Sequence, residues 1–171
     1  EYSEANYETN ISDFQLVSYI LGRCATVDEV KAEIARVHIH GFDPRSSTVH
    51  WRFAEPSGRQ IVLEIIDGKC VFYENNLGVL TNSPSFDWQL TNLNNYVNLL
   101  PGRTEPHTIG NMSLSSFGGG SAMIGLPGDF TPPSRFVRAA FFQSTAPQKP
   151  DAEGSVFTAF HILGSMEIPI G

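Results

Sequence analysis

The stretch Gly78–Tyr96, GVLTNSPSFDWQLTNLNNY, joins a strand-like segment to a helix-periodic one through a polar turn. Residues 78–81 have strand character and residues 84–99 carry apolar side chains at helical spacing, so we predict a strand followed by a helix. Asn82 lies at the carboxyl end of the predicted strand, which is a favoured place for a functional site. The local pattern by itself favours a plainer interpretation, in which the turn's two polar residues cap the helix and Pro84 occupies its first turn.

The composition of the 171 residues describes one loop-rich globular domain, which we expect to span residues 1–171. Hydrophobic residues make up 41% and charged residues only 17%, with 15 Gly and 11 Pro, which argues against a coiled coil or a disordered tail. The formal net charge is -7 and no basic cluster is present, so neither nucleic acid nor a membrane is expected as a partner.

Two helices and a set of strands are predicted before the opening stretch, after a loop over residues 1–11. Apolar residues recur at helical spacing from Asp13 until Gly22, and Thr26–Glu29 is a capping box that begins a second helix. Three β-rich runs follow, and the Asp-Gly between the last two is a strong hairpin signal. We predict an antiparallel meander that continues into residues 78–81, with its first three strands at Thr48–Ala54, Gln60–Ile66 and Lys69–Tyr73.

No metal or cofactor site is predicted. His38 and His40 are spaced to share one strand face and could ligate a metal, but no third ligand is near and solvent-facing histidines are the favoured interpretation. Cys24 and Cys70 form neither a disulfide framework nor a zinc pattern. The glycine run at 118–120 has no lysine after it and does not fit a phosphate-binding loop.

The second half of the chain is predicted to hold a polar loop to about Gly110 and two more helices. One helix begins at Thr131 with prolines in its first turn, and the last helix spans Val156–Met166 after a linker at residues 143–154. Arg135 lies in the first of these helices, close to a loop rich in Gly and Pro, where an arginine is a candidate for holding a carboxylate.

Two long segments resemble the signature regions of the choloylglycine hydrolase family, which contains bile salt hydrolases and penicillin V acylases. They are GVLTNSPSFDWQLTNLNNYVNL at residues 78–99 and GLPGDFTPPSRFVRAAF at residues 125–141. Residues 51–65 and 157–171 resemble further parts of the family, and the similarity covers nearly the whole chain from about Ile11.

The resemblance implies an α+β fold that is part of a four-layer αββα sandwich with antiparallel sheets, as in N-terminal-nucleophile hydrolases. In this family an amino-terminal cysteine attacks an amide carbon and its own α-amino group acts as the base. The asparagine of the T-N-S-P motif corresponds to Asn82, which is expected to donate to the oxyanion. The first arginine of S-R-F corresponds to Arg135, which is expected to lie beside the thiolate. A homotetramer without a cofactor is also implied.

Residue 1 departs from the family pattern because it is Glu, so the chain itself supplies no nucleophile. Neither Cys24 nor Cys70 can replace it, since the base in this chemistry is the nucleophile's own amino group. The chain is therefore expected to be the central portion of a hydrolase, without the nucleophile-bearing segment and the C-terminal strands. By itself it is predicted to be inactive.

The expected substrate is a small-molecule amide, with conjugated bile salts placed first. Penicillin V or an acyl-homoserine lactone is the alternative, and a non-catalytic binding module that retains the fold is the alternative of another class. Phe42 lies in a loop that corresponds to one flanking the family's acyl pocket, and it is the predicted substrate-binding residue. The compartment, bacterial cytoplasm or periplasm, is left open.

Overall fold

The computed structural model describes residues 8–43, 45 and 49–168, in two compact units, Glu1–Asp87 and Trp88–Gly171. Both units contain helices and strands, and most of the strands pair antiparallel, so the predicted α+β class is confirmed. The first unit contains β1 (Asn10–Ser12), α1 (Asp13–Leu21), α2 (Val27–Ile34), β2 (His38–His40), β3 (His50–Ala54), β4 (Gln60–Ile66), β5 (Lys69–Glu74) and the start of α3 (Phe86–Asn92). The second contains β6 (His107–Ile109), β7 (Met112–Leu114), α4 (Pro132–Thr145) and α5 (Ala152–Gly164).

The main sheet is the predicted meander, with β4 paired antiparallel to β3 on one side and to β5 on the other. The Asp67-Gly68 turn joins β4 to β5, and both of its residues have the positive φ that a tight two-residue hairpin requires. The predicted start of the first strand, Thr48, lies outside the described residues. The central strand β4 contributes most to the core, because its residues 61–64 are all buried.

The core of the first unit lies between this sheet and the two helices. Each helix begins with a capping box, formed by Ser12 with Gln15 in α1 and by Thr26 with Glu29 in α2. The apolar faces of the helices and the sheet meet in one cluster of buried side chains, which includes Leu16, Ile20, Val27, Ile34, Trp51, Ile61 and Leu63.

A short parallel pair, β1 with β2, was not predicted. Residues 10 and 11 were predicted to be loop, yet residues 10–12 pair in parallel with residues 38–40, so the sheets are not all antiparallel. The sequence of β1 shows no hydrophobic alternation by which a strand could be predicted, because Ile11 is the only apolar, buried residue among its three. Its pairing partner Ile39 lies in the same core, which holds the two segments together.

The strand predicted at residues 78–81 is wrong, because these residues are in neither a strand nor a helix. The buried side chain of Asn75 takes the place of a strand partner here. Its Nδ2 donates to the carbonyl of Val79 at 3.0 Å, and its Oδ1 accepts the N–H of Gly78 at 2.9 Å. A side chain that bonds nearby backbone in this way competes with a ladder, so the chain turns instead of extending the meander.

The helix predicted over residues 84–99 is shorter than expected. It begins at Phe86, so Pro84 precedes the helix and does not lie in its first turn. The α-helix ends at Asn92 and continues as one turn of 3₁₀ helix at Leu93–Tyr96. Asn94 Nδ2 donates to the carbonyl of Thr91 at 2.9 Å. Bonds of this kind from short amide side chains compete with α-helical hydrogen bonds.

The second unit contains a hairpin and a helix start that the sequence analysis missed. Strands β6 and β7 pair antiparallel, and β6 lies in the segment predicted to be a polar loop. Helix α5 begins at Ala152, four residues before the predicted start, because Asp151 caps it by accepting the N–H of Gly154 at 2.6 Å. Helix α4 continues to Thr145, so the predicted linker is reduced to residues 146–151.

Candidate active-site segments

Asn82 lies in an exposed turn of the first unit, between the segment held by Asn75 and the start of α3. The peptide bond between Ser83 and Pro84 is cis. Asn82 is exposed, and the turn lies between two points where the chain is attached to buried groups. Because Asn82 is four residues before the first helical residue, the predicted capping role does not fit the observed start of α3.

The downstream attachment is made by Glu64, a carboxylate in the middle of the sheet with only 5% of its surface exposed. Both of its oxygens accept the backbone N–H of Phe86, at 2.9 and 3.1 Å. Its Oε1 also lies 3.1 Å from Nδ1 of His50, the residue directly opposite in the β3–β4 register. The first N–H of α3, which the helix itself cannot satisfy, is thus bonded to a buried side chain from β4.

A small cavity of about 160 Å³ adjoins this turn within the first unit. Its walls are formed by the Glu64 and His50 pair and by the residues that follow Asn82, namely Ser83, Pro84 and Ser85, together with Val49, Ile65 and Ile66. The lining thus combines polar and aliphatic side chains. Sequence reasoning missed Glu64 and His50, although a glutamate flanked by Ile61-Val62-Leu63 and Ile65-Ile66 was a visible signal.

Arg135 lies in the first turn of α4 in the second unit and is partly buried. Its Nε donates to the carbonyl of Phe130 at 3.1 Å, so the guanidinium is attached to the loop that precedes the helix. This loop is the Gly- and Pro-rich segment of the sequence analysis. Arg135 therefore contacts this loop, and its role beside a thiolate stays a prediction.

The same loop is closed by Asp129, a residue that sequence reasoning did not select. Its Oδ2 accepts the hydroxyl of Ser134 at 2.6 Å, and its Oδ1 accepts the hydroxyl and the N–H of Thr131 at 2.6 and 2.9 Å. These hydrogen bonds, with the Ser134 bond the strongest contribution, lower the pKa of Asp129 to about 2. The carboxylate is therefore ionised across the physiological pH range and fixes the start of α4.

Arg138, three residues after Arg135 in α4, has different surroundings. It is buried, with 5% of its surface exposed. Its Nη1 donates to the carbonyls of Pro127 and Asp129, the first at 2.9 Å, and its Nη2 donates to the carbonyl of Ser165 at 3.1 Å. Arg138 therefore connects the loop before α4 with the segment after α5, and its role is structural.

Phe42 is well exposed, with 74% of its surface accessible. Its N–H donates to Oδ1 of the buried Asp13 at 3.2 Å, and its ring meets Phe14 edge to face at 6.0 Å between centroids. These contacts place Phe42 and Phe14 on the surface of the first unit as an exposed aromatic pair. Most of the loop that follows, residues 44 and 46–48, lies outside the described residues.

Neither cysteine is in an activating environment. Burial raises the pKa of the Cys24 thiol, with the nearby Glu33 and Glu29 adding to the effect, and burial also raises the pKa of Cys70.

In residues 8–43, 45 and 49–168 no group of three or more His, Cys, Asp or Glu side chains could hold a metal ion. Over the same residues, no helix is long and apolar enough to cross a membrane.

Comparisons with known proteins agree with the resemblance seen in the sequence. The chain is 37% identical over 177 aligned residues to a bile salt hydrolase/transferase of Clostridium perfringens. It is 38% identical over 164 residues to a bile salt hydrolase/transferase of Lactiplantibacillus plantarum. These alignments cover 99% and 94% of this chain, and it spans only about half the length of these relatives, 54% and 50%. A penicillin V acylase of Pectobacterium atrosepticum is 31% identical over 173 residues, which are 90% of this chain and 40% of that protein.

Solved structures agree as well. A crystal structure of a variant conjugated bile acid hydrolase from Clostridium perfringens superposes with a TM-score of 0.83 at 33% identity, covering 100% of this chain and 54% of that one. The structure of penicillin V acylase from Agrobacterium tumefaciens shows the shared fold. Its TM-score is 0.78 at 23% identity, and the match covers 100% of this chain and 47% of that chain. The family model for linear amide C–N hydrolases matches residues 1–171, and the chain belongs to the choloylglycine hydrolase family.

Proposed function

We propose that this chain is part of an amide hydrolase that cleaves conjugated bile salts. The observation that carries the proposal is the 37% and 38% identity to two bile salt hydrolase/transferases over nearly the entire chain. The more distant likeness to a penicillin V acylase, at 31%, supports the same reaction type on a different amide. Bile salts are therefore placed before penicillin V and acyl-homoserine lactones.

The reaction begins at a cysteine supplied by a part of the protein outside these 171 residues. Its thiolate adds to the amide carbon while its own α-amino group takes up the thiol proton. The C–N bond of the tetrahedral intermediate then breaks, the amine leaves with that proton, and a thioester remains. Water attacks the thioester, which releases the carboxylic acid and regenerates the thiol.

Asn82 is proposed to stabilise the tetrahedral intermediate by donating its side-chain amide to the oxyanion. Its exposed position in a turn attached at both ends suits a donor that must be held still before the reaction. Such a donor contributes roughly 3 kcal/mol of transition-state stabilisation. Arg135, attached to the Phe130 carbonyl, is proposed to favour the thiolate through its positive charge.

Phe42 is proposed to contact the acyl part of the substrate. The steroid of a bile salt and the phenoxy group of penicillin V are both apolar, so an exposed aromatic pair such as Phe42 and Phe14 would bury well against either. This contact explains binding of an apolar acyl group and does not by itself select one substrate.

The proposal is tested with protein expressed from the full open reading frame. Release of taurine or glycine from taurocholate and glycocholate is compared with release of phenoxyacetate from penicillin V and of the amine from an acyl-homoserine lactone. A higher kcat/KM for the bile salts is expected. A higher kcat/KM for penicillin V would contradict the substrate assignment, and hydrolysis of none of them would favour a non-catalytic binding module.

Two further expectations concern the chain by itself and its assembly. The isolated 171 residues are expected to release no taurine, because the proposed nucleophile is not among them. Taurine release by the purified chain would contradict that assignment. A homotetramer is expected for the full-length protein, and its mass in solution by light scattering tests this.

A further inference from the structure

We propose that Glu64 is a positioning residue for the reaction, which sets the turn carrying Asn82 by holding the start of α3. The inference rests on the proposed function, because it gives Asn82 the role of oxyanion donor. Glu64 itself touches neither the substrate nor the reacting atoms in this scheme. It acts by fixing the backbone N–H of Phe86, four residues after Asn82.

Glu64 is a buried carboxylate in the central strand of a sheet, which is an unusual residue for a position whose only role is packing. It stands in the central strand β4 after Ile61, Val62 and Leu63, none of which has accessible surface. Burying a carboxylate in such a place is unfavourable unless hydrogen bonds compensate the loss of water. Here the compensating groups are the Phe86 N–H and the His50 ring, and the first of these contacts holds the start of α3.

The upstream end of the turn is attached to the same sheet by Asn75, which has 3% of its surface exposed. Its backbone N–H donates to the carbonyl of Gln60 at the start of β4, at 2.8 Å. Its side chain holds Val79, as described above. The segment 80–85, which includes Asn82, thus lies between two buried polar side chains, Asn75 and Glu64. Glu64 belongs to β4, and Asn75 is hydrogen-bonded to β4. A donor placed in this way keeps its position relative to a rigid element, which preorganised catalysis requires.

The residues around the start of α3 also make a side-chain contact of their own that does not involve Glu64. The Ser85 hydroxyl donates to Oδ1 of Asp87 at 2.5 Å, so polar groups in the chain around the start of α3 are already engaged with each other. When Glu64 is removed, we therefore expect the helix to stay folded. The direction in which the chain enters α3 is expected to become less fixed. A displacement of about 1 Å in a catalytic group lowers rates by as much as 10²-fold.

The test uses the full-length enzyme with taurocholate as the probe. E64L removes both acceptor oxygens, whereas E64Q keeps one for the Phe86 N–H. We expect kcat per folded molecule to fall roughly tenfold or more in E64L, with KM little changed, and to recover in part in E64Q. V30A, a core change in α2, is the matched control: it lowers the melting temperature and leaves kcat per folded molecule unchanged.

A double-mutant cycle with Asn82 decides between positioning and general destabilisation. If Glu64 acts through Asn82, E64L costs little further kcat in the N82A background, because the donor that it positions is gone. Equal losses in the wild-type and N82A backgrounds, or an unchanged kcat in E64L, would overturn the inference while the bile salt activity stands. An inactive wild-type enzyme would instead overturn the proposed function.

Discussion

The carboxylate of Asp129 and the hydroxyl of Ser134 lie 2.6 Å apart, and this hydrogen bond joins the Gly- and Pro-rich loop to the first turn of α4. Thr131, the residue before the helix, donates to the same carboxylate through both its hydroxyl and its N–H. The side chain of Arg135 donates a hydrogen bond to the carbonyl of Phe130, the residue after Asp129. The position of a proposed active-site arginine thus depends on an acidic residue that holds the helix start in place.

The first prediction concerns acid stability. The pKa of Asp129 is about 2 in the folded protein, below the value of roughly 3.9 for an unfolded chain. A depressed folded-state pKa means that its contribution to stability is present above about pH 4 and is lost as pH falls towards 2. We expect the difference in unfolding free energy between the wild type and D129N to shrink between about pH 5 and pH 2.5, as measured by urea denaturation.

S134A is the matched variant for this measurement because it removes the hydrogen bond that lowers the pKa of Asp129 most and keeps the carboxylate. Its stability should depend on pH less than that of the wild type and more than that of D129N. A wild-type-minus-D129N difference that stays constant over the whole range would show that Asp129 does not carry this part of the acid dependence.

The second prediction compares the two arginines of α4. R138M should lower the free energy of unfolding by about 2 kcal/mol or more, because a buried guanidinium loses its hydrogen bonds to three carbonyls. R135M should cost about 1 kcal/mol or less, because the Arg135 side chain is partly exposed and water can replace the hydrogen bond that it loses to the Phe130 carbonyl. Urea denaturation of both variants checks this, and equal losses would show that burial does not separate their roles.

The third prediction concerns the proposed oxyanion donor. In the full-length enzyme, N82A should lower kcat by roughly 10²-fold with a modest change in KM, because the lost interaction forms only in the transition state. N76A, in the exposed turn before it, is the control and should leave both constants near wild type. If KM alone rose in N82A, Asn82 would be a binding residue and not an oxyanion donor.

The fourth prediction concerns the proposed role of Arg135 beside the thiolate. R135A should move the acidic limb of the profile of kcat/KM against pH to higher pH, since removing a nearby positive charge raises the pKa of the thiol. R36A removes an exposed arginine that pairs with Glu33 and should leave the profile where it is. A profile in R135A that matches the wild type would refute the assigned role.

Local chemistry was enough to predict several elements of this protein. The capping box of Thr26 and Glu29, the Asp-Gly hairpin and the prolines that begin α4 are each decided by a few neighbouring residues. Their hydrogen bonds and dihedral angles depend on atoms close in the chain, so the pattern alone determines them. The long T-N-S-P and S-R-F segments likewise predicted the family, which the comparisons then confirmed.

Contacts between distant residues decided the rest. Residues 78–81 have strand composition, yet the side chain of Asn75 takes the hydrogen bonds that a strand partner would have made. Arg135 and Arg138 are alike in sequence, but only Arg138 is buried among loop carbonyls. Glu64 holds the N–H of Phe86 across 22 positions of the chain. The burial and hydrogen-bond partners of these side chains depend on which segments the fold brings together, and only the tertiary structure settles that.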